Sequence, residues 1–359
     1  MIVSITRLGA VLLTGVLLAP QVAFARMNYR RLLKDLPDAE AVERPLITRA
    51  IGRSHRKRAM RALLIRFGDQ ALPIPERASL ATALGDLGYE DALPALVSQW
   101  SGMLNRRFQA RSLPPEEEAF RASVVTAIGK TAEPKDQEAL GVLRRAALDE
   151  DKGVALAALE GLGRLRDLKS FETIARLVRG DDADLSRAAT RALAGLGDDK
   201  SEQLLRVRLE STVGRERIEA ALSLGLMRRK IGALTLDGFL EEVDGPYEDG
   251  ITAAAALAEL GHTSGLAYLS EILKPPVGEL RDVAIDALGA SRAPRAILPL
   301  ASVLDDCDAS TRLRVIRALE RIGGDRAAFE LRRRRKDGEP QAQDLIRRSR
   351  ARLGDYVLP

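Results

Sequence analysis

Few residues of this chain have side chains that could do covalent or metal chemistry. Its 359 residues include two histidines, His55 and His262, and one cysteine, Cys307. A zinc site needs several such ligands at short spacing, and a thiol nucleophile needs a base beside it. These three residues stand far apart in the sequence. We therefore predict no catalytic residue, no metal site and no bound cofactor.

The acidic pairs and the glycines support the same interpretation. Asp181–Asp182 and Asp198–Asp199 stand directly before predicted helices. A carboxylate there accepts backbone N–H groups, so we interpret these pairs as helix caps and not as paired catalytic carboxylates or cation ligands. Gly161 and Gly163 close a helix, and no Lys-Ser or Lys-Thr follows them as in a phosphate-binding loop.

The single cysteine offers little reactivity. Cys307 stands between Asp306 and Asp308 and has no second cysteine with which to form an intramolecular disulfide. Neighbouring carboxylates raise the pKa of a thiol, and a raised pKa leaves little of the nucleophilic thiolate at neutral pH. We predict an inert thiol.

One repeated phrase organises the chain. It consists of Ala or Ser, an aliphatic residue, two variable residues, usually a third aliphatic residue, and an anchor that is often Gly. Successive copies lie 31 to 44 residues apart, which is the length of two short helices and two turns. The anchors of the eight copies are Gly88, Ala132, Gly163, Gly197, Arg228, Gly261, Arg292 and Gly323.

Two positions of the phrase are constant in chemical type. The residue four before each anchor is aliphatic: Leu84, Ile128, Leu159, Leu193, Leu224, Leu257, Leu288 and Leu319. The residue five before each anchor is small: Ala83, Ala127, Ala158, Ala192, Ser223, Ala256, Ala287 and Ala318. The aliphatic residue belongs to an apolar helical stripe, and the small residue lets the next helix approach closely.

No single unit of this size can bury such a stripe, so neighbouring copies must cover one another. The sequence predicts an all-α protein, an α-solenoid of about eight two-helix repeats with an N- and a C-terminal cap. We expect the N-terminal helical cap at residues 26–69, the repeats at 70–336, and a basic cap and tail at 337–359. The caps depart from the phrase because one face of a terminal unit meets water.

Two copies of the phrase identify the repeat type. The segments Glu279–Gly289, reading ELRDVAIDALG, and Glu76–Gly88, reading ERASLATALGDLG, resemble the second helix of HEAT-like repeats of the phycobilisome-lyase type. The resemblance extends over most of residues 70–336. It implies that the helices bearing the phrase line a concave surface. Repeats of this type occur in lyases, scaffolds, adaptors and nucleic-acid-binding proteins, so the resemblance predicts a fold and not an activity.

The first 25 residues have the pattern of a secretory signal. Arg7 precedes an apolar stretch, Leu8–Ala19, and Ala23-Phe24-Ala25 supplies the small residues of a cleavage site. We predict export across the inner membrane, cleavage after Ala25 and a periplasmic protein. The alternative is an uncleaved N-terminal anchor, although the apolar stretch is short for a membrane span.

A basic residue stands eleven positions before the anchor in six of the eight copies. These cations could form a ladder for an anionic ligand. Alternatively, each pairs with a turn carboxylate of a neighbouring repeat or covers apolar surface with its stem. We favour the second interpretation, because a cation near a helix start is disfavoured by the helix dipole unless another group holds it. The eight residues are Arg77, Arg121, Lys152, Ser186, Arg217, Gly250, Arg281 and Arg312.

Charge is segregated along the chain. Residues 26–66 carry a net charge of +8 and residues 326–359 carry +5, whereas residues 67–325 carry −9. The basic ends could contact an anionic membrane surface or an acidic partner, or they could be solvated caps. The two patches comprise Arg53, Arg56, Lys57, Arg58 and Arg61 at one end and Arg332, Arg333, Arg334, Arg335, Lys336, Arg347 and Arg348 at the other.

The function that fits these features best is an exported, non-catalytic scaffold that grips a protein or peptide along a curved helical surface. The alternatives are an enzyme resembling the bilin lyases and a membrane-peripheral assembly factor. Nucleic acid is a poor candidate ligand, because the middle of the chain is acidic and aromatic residues are scarce. The predicted partner-binding residues lie off the apolar stripe and are Arg187, Arg191, Asp282, Asp286, Arg314 and Arg317. Trp100 and Tyr247 are further possible anchors.

Overall fold

The computed structural model is all-α, as the sequence predicts. It describes residues 29–54, 56–107, 114–242, 248–274, 280–305 and 307–333, and within these ranges the regular structure consists of α-helices and short 3-10 turns. The predicted signal segment, residue His55 and the predicted C-terminal cap lie outside the described residues.

The chain divides into two compact units, unit 1 (residues 1–196) and unit 2 (residues 197–359). The described helices of unit 1 are α1 Tyr29–Asp35, α2 Arg44–Gly52, α3 Lys57–Phe67, α4 Ile74–Leu87, α5 Leu93–Arg107, α6 Pro115–Thr131, α7 Gln137–Ala146, α8 Lys152–Arg164, α9 Phe171–Val178 and α10 Ala183–Leu196. The described helices of unit 2 are α11 Asp199–Ser211, α12 Gly214–Leu226, α13 Ala233–Glu242, α14 Glu248–Glu259, α15 Thr263–Ile272, α16 Arg281–Ser291, α17 Ile297–Val303, α18 Ala309–Ile322 and α19 Gly324–Arg333.

The helices that bear the phrase, which we call phrase helices, stack directly on one another. In unit 1, α4 packs against α6, α6 against α8, and α8 against α10; in unit 2, α12, α14, α16 and α18 pack in the same sequential way. The eight aliphatic residues at the fourth position before the anchor are all fully buried, with 0% exposure. The predicted seams therefore form the core of each unit.

Close contact between backbones sets the spacing of the phrase helices. A β-carbon added to Gly85 in α4 would lie 2.8 Å from Ala127 Cα in α6, and one added to Gly163 in α8 would lie 3.0 Å from Ala192 Cα in α10. In unit 2, a β-carbon on Gly225 would lie 2.9 Å from the methyl group of Ala256. The predicted role of the small residue is confirmed, and its partner in these pairs is a glycine of the preceding phrase helix.

Seven of the eight anchors lie at or just after the end of a helix, and Gly163 is the exception. Six anchors have a positive φ. Gly88 and Arg292, with ψ of 24° and 21°, have the left-handed conformation that commonly ends a helix, whereas Gly323 has ψ −167°. Ala132 instead has extended backbone, with φ −66° and ψ 152°. Gly163 lies inside α8, and Arg166, with φ 54°, takes the left-handed position three residues later. The third copy therefore ends later than the phrase predicts.

Helices α2 and α3 near the N-terminus begin without a side-chain cap. Asp38 and Ser54 match the residue types that cap helices, but α2 begins at Arg44 and α3 at Lys57. Pro45 fixes the start of α2, because proline is favoured in the first turn of a helix, where no internal partner exists for its missing N–H. Arg56, with extended backbone, precedes α3.

A buried carboxylate connects these N-terminal helices to the first full repeat. Glu76 in α4 is 6% exposed and pairs with Arg44 of α2 at 3.2 Å and with Arg66 of α3 at 2.6 Å. Two guanidinium groups compensate the desolvation of one carboxylate, so the contact is tolerated in the interior.

Candidate partner-binding surface

Four of the six predicted partner-binding residues lie on two adjacent phrase helices of unit 2. Arg314 in α18 reaches across to α16, where it pairs with Asp282 at 3.4 Å and with Asp286. These three side chains are 37–47% exposed, and Arg317, one turn after Arg314, is also exposed. The structure thus assembles a row of charged side chains across neighbouring helices.

The other two predicted residues lie on α10 of unit 1. Arg187 donates a hydrogen bond to Asp184 at 2.8 Å, and Arg191 is exposed one turn further along the helix. Lys152 of α8 pairs with Asp184 and also, at 3.1 Å, with Asp182. A hydrogen bond from Lys152 lowers the pKa of the Asp184 carboxyl group. The pKa of Asp182 is lowered first by the backbone N–H of Leu185 and then by Lys152.

The ladder of basic residues is largely structural. Arg121 is 1% exposed, pairs with Asp149 at 2.5 Å and lies 5.1 Å from the centre of the Trp100 ring. Arg77 is 3% exposed and lies 4.8 Å from the ring of Phe120. Carboxylates of turns and aromatic faces hold these cations, as the second interpretation of the ladder expects. Buried guanidinium groups cannot form a continuous exposed track for an anionic ligand.

The predicted acidic caps are present. Asp182 accepts the backbone N–H of Leu185 at 3.0 Å at the start of α10, and Asp198 accepts the backbone N–H of Ser201 at 3.2 Å at the start of α11. Both carboxylates satisfy N–H groups that lack an internal partner. Their positions are explained by helix capping.

The aromatic candidates do not add to the surface. Trp100 is 1% exposed and packs beneath Arg121, so it is a core residue and cannot anchor a partner. Residue type alone could not predict whether the Trp100 side chain on α5 is buried or exposed. Tyr247 lies outside the described residues.

The basic patch at the N-terminal end is accessible. Arg53, Arg56, Lys57, Arg58 and Arg61 are all exposed. Lys57 pairs with Asp91 at 2.7 Å and thereby lowers the pKa of that carboxyl group. At the other end, Arg333 is exposed, whereas the side chain of Arg332 and the predicted patch residues Arg334, Arg335, Lys336, Arg347 and Arg348 lie outside the described part of the chain.

A shallow groove runs between α3 and α5 in unit 1. It has a volume of about 420 Å³ and combines apolar and amide side chains. The carboxamide of Gln99 in this groove accepts hydrogen bonds from Arg77 at 2.8 Å and from Gln70 at 3.4 Å. The lining residues are Leu64, Phe67, Gly68, Gln70, Ala95, Ser98, Gln99 and Gly102. Ser98 supplies the one hydroxyl among these residues, and none of them carries a charged side chain.

The titratable residues considered for catalysis include Cys307 and His262, which both lie in the described part of the chain. Burial raises the pKa of the half-buried Cys307 thiol, and this direction agrees with the prediction of an inert cysteine. His262 lies in the turn before α15, and no group of three or more His, Cys, Asp or Glu residues in the described part of the chain could hold a metal ion. None of the described helices is long and apolar enough to span a bilayer.

Comparison with known proteins identifies the repeats. A family model for HEAT repeats matches residues 266–349. This match shows HEAT repeats in residues 266–349, and the same kind of stacked helix pairs is present in both units. The prediction of the repeat type and of an all-α solenoid is therefore confirmed.

Several solved structures are similar to the chain at low identity, and no curated protein matches its sequence. The complex of CpcE and CpcF of phycocyanin lyase from Nostoc sp. is 17% identical, covers 66% of this chain and 95% of that one, and has a TM-score of 0.41. YibA of Escherichia coli is 15% identical, covers 86% of this chain and 97% of that one, and has a TM-score of 0.36. Human deoxyhypusine hydroxylase in complex with glycerol is 15% identical, covers 72% of this chain and 96% of that one, and has a TM-score of 0.33.

One exposed feature is not among those predicted from the sequence. Arg166, Arg228 and Arg292 are the non-glycine residues with positive φ in the described chain, and all three are exposed. Arginine at the anchor position was visible in the sequence for two of the three. Glycine is the residue best suited to this conformation, so an arginine at the anchor position could have indicated the unusual backbone.

Proposed function

We propose that the protein is an exported, non-catalytic scaffold that binds a protein or peptide partner through the exposed face of its phrase helices. The observation that carries this proposal is the row formed by Asp282, Asp286, Arg314 and Arg317 across α16 and α18. Charged side chains of both signs on adjacent, rigidly packed helices suit recognition of an extended polar segment. HEAT repeats generally serve protein interactions, and repeat surfaces bind through many shallow contacts.

A charge-reversal experiment tests the binding face. Arg317 is exposed and points away from the seam, so Arg317→Glu should leave the fold intact and reduce co-purification of the partner at least tenfold. Arg326→Glu makes the same charge change at an exposed position of α19 and is the matched control. Partners captured from the extracytoplasmic fraction are identified by mass spectrometry, and circular dichroism checks the helix content. Equal recovery with both variants would contradict the proposed face.

The non-catalytic part of the proposal has its own test. Incubation with a bilin and an apo-phycobiliprotein should give no covalent attachment, as judged by absorbance of the denatured product. Attachment above a protein-free control would instead establish the alternative, a bilin-lyase-like enzyme.

Export is the third part of the proposal and rests on the sequence of residues 1–25. Cell fractionation should place the protein in the periplasm, and the intact mass should correspond to a chain that begins at Arg26. A chain that retains residues 1–25 and sediments with membranes would support the uncleaved anchor.

The exposed cations of the N-terminal patch favour a second candidate function, peripheral contact with an anionic membrane surface. Neutralising two of them, in the variant Arg58→Gln with Arg61→Gln, should reduce binding to anionic vesicles about thirtyfold at low salt. Unchanged binding would leave the patch as a solvated cap.

A further inference from the structure

Three arginines hold a backbone conformation that glycine adopts more easily. Arg166 ends α8 with φ 54°, Arg228 ends α12 with φ 58° and Arg292 ends α16 with φ 52°. Gly261 occupies the same position at the end of α14, with φ 85°. A side chain with a β-carbon is strained in this region, and the favourable effect of a cation at a helix C-terminus offsets only part of that cost. Backbone conformation and helix capping therefore do not explain why arginine recurs at this position, and its exposed charge must have another role.

The turns that follow Arg228 and Arg292 expose aliphatic side chains as well as cations. Leu226, Ile231 and Leu234 are 58%, 42% and 83% exposed, and Leu298 is 50% exposed. The segments 226–235 and 291–299 contain no Asp or Glu. Large aliphatic side chains in water are unfavourable, and the charged residues within these two segments are all cations.

Most of these cations are not engaged within the described part of the chain. Arg229 pairs with Glu202 at 2.7 Å, but Arg228, Lys230, Arg292 and Arg295 are exposed and have no ion pair there. The charge of these four side chains is therefore directed to solvent.

The two turns lie on one edge of unit 2. Gly225 near the end of α12 contacts Ala256 near the end of α14, and Gly289 near the end of α16 contacts Ala318 near the end of α18. The contacting residues are in the last turns of their helices, so the C-terminal ends meet within each pair, and α14 packs in turn against α16. The turn between them, after α14, contributes His262 and one carboxylate, Glu259, both half-exposed.

We propose that this edge docks on an anionic phospholipid bilayer. We call it the turn edge and define it by Arg228, Lys230, Ile231, Leu234, Arg292, Arg295 and Leu298. The guanidinium and ammonium groups contact lipid phosphates, while the aliphatic side chains enter the boundary between headgroups and acyl chains. The left-handed arginines direct their side chains outward from the ends of the helices. This property goes beyond the proposed scaffold function, because it leaves the face of α16 and α18 available for a protein partner.

A bilayer fits this edge better than a folded protein does. The aliphatic side chains project from convex turns, and a fluid acyl layer accommodates them without a complementary pocket. Specific protein interfaces instead have a central cluster of buried anchors, often Trp, Tyr or Arg. The turn edge has no aromatic residue.

The decisive variant is Arg228→Gly with Arg292→Gly. Removing two cations should weaken binding to vesicles of phosphatidylcholine with 30% phosphatidylglycerol about thirtyfold at low salt. The same change relieves two strained backbone positions, so the Tm should rise by about 3 °C. A loss of binding together with a gain of stability separates docking from a structural role.

The controls remove the same charge elsewhere. Arg215→Gln with Arg217→Gln acts at the opposite end of α12 and should change vesicle binding less than threefold. The full chain is used throughout, and binding to pure phosphatidylcholine vesicles is subtracted, because the apolar residues 8–19 can associate with any bilayer. Leu234→Ser, which keeps all charges, should reduce the anionic binding about tenfold.

Three outcomes would overturn the inference. The first is an equal loss of vesicle binding in the Arg228→Gly, Arg292→Gly variant and in the Arg215→Gln, Arg217→Gln variant. The second is loss only in the Arg58→Gln, Arg61→Gln variant, which would place the contact at the N-terminal patch. The third is absence of vesicle binding combined with binding of poly-glutamate that depends on Arg228 and Arg292, because the partner would then be an acidic protein.

Discussion

Gly289 in α16 lies directly against Ala318 in α18, and a β-carbon added to Gly289 would come within 2.7 Å of the Ala318 methyl group. The two helices are packed backbone to backbone at this point, and neither side can yield by rotating a side chain. One added carbon atom at Gly289 should therefore disturb the packing of this seam.

Gly289→Ala should destabilise unit 2 by about 1–3 kcal/mol through overpacking, although alanine is the better helix former by about 1 kcal/mol. The matched control is Gly238→Ala in α13, where an added β-carbon meets nothing within 4 Å. The control should be stabilised by up to about 1 kcal/mol. Urea unfolding followed by circular dichroism measures both, and a stabilised Gly289→Ala would refute the contact.

Backbone conformation at the helix ends gives a second prediction. Arg166→Gly should stabilise unit 1 by about 1 kcal/mol, because glycine adopts the φ of 54° without strain. Gly261→Ala should destabilise unit 2 by a similar amount, since φ is 85° and no contact within 4 Å compensates. Thermal unfolding of the two variants should shift Tm in opposite directions, and shifts of the same sign would contradict the assignment.

The buried pair of Arg121 and Asp149 gives a third prediction. Asp149→Asn leaves a guanidinium that is 1% exposed without its counter-charge, and this should cost about 3–5 kcal/mol. The protein's one tryptophan, Trp100, lies beneath Arg121, so its fluorescence reports the unfolding of this region.

The control for this pair is Glu133→Gln, which removes the carboxylate from the exposed pair with Lys135. It should change the free energy of unfolding by less than about 1 kcal/mol. A similar small effect for Asp149→Asn would show that the buried pair is not required.

The N-cap of α18 gives a prediction of pH dependence. The backbone N–H of Thr311, together with that of Ser310 and the Thr311 hydroxyl, holds the pKa of Asp308 below its ordinary value. A lowered pKa in the folded state stabilises the protein above the unfolded-state pKa, and the contribution is lost as pH falls through the folded-state pKa.

Asp308→Ala should therefore cost about 1 kcal/mol at pH 7, and the difference from the native protein should shrink as pH falls below about 4. Asp308→Asn retains a capping side chain and should be close to native at pH 7. Chemical unfolding at several pH values measures the differences, and a pH-independent cost of the alanine variant would contradict the carboxylate's role.

The sequence predicted the core because the core is a local pattern repeated many times. Each of Leu84, Leu193 and Leu288 sits on the same helical face in its own copy, and every one is fully buried. A 3.6-residue periodicity and a small neighbour determine this burial without knowledge of the rest of the fold.

Contacts across helices were less predictable. Ala127 was recognised as a small residue, but its partner Gly85 depends on how α4 and α6 stack. Arg314 and Asp286 were each predicted on an exposed helix face, while the ion pair between them depends on the rotation of α16 relative to α18. Periodicity within one helix carries no information on that rotation.

Buried charge was the least predictable feature. Arg121 was placed in a ladder of cations by its position in the repeat, yet its burial depends on Trp100 and Asp149, which lie on α5 and in the turn after α7. Because arginine is mostly exposed in proteins, an arginine in a sequence is predicted to be a surface residue. The neighbours that desolvate it come from other elements.

The backbone contacts between phrase helices also determine how each unit can flex. Where Gly85 meets Ala127, and where Gly289 meets Ala318, the two backbones touch and cannot move closer. Each contact is a pivot, about which one helix can rotate against the next while their separation stays fixed. Thermal motion within a unit should therefore change its curvature by twisting successive layers and leave its length nearly constant.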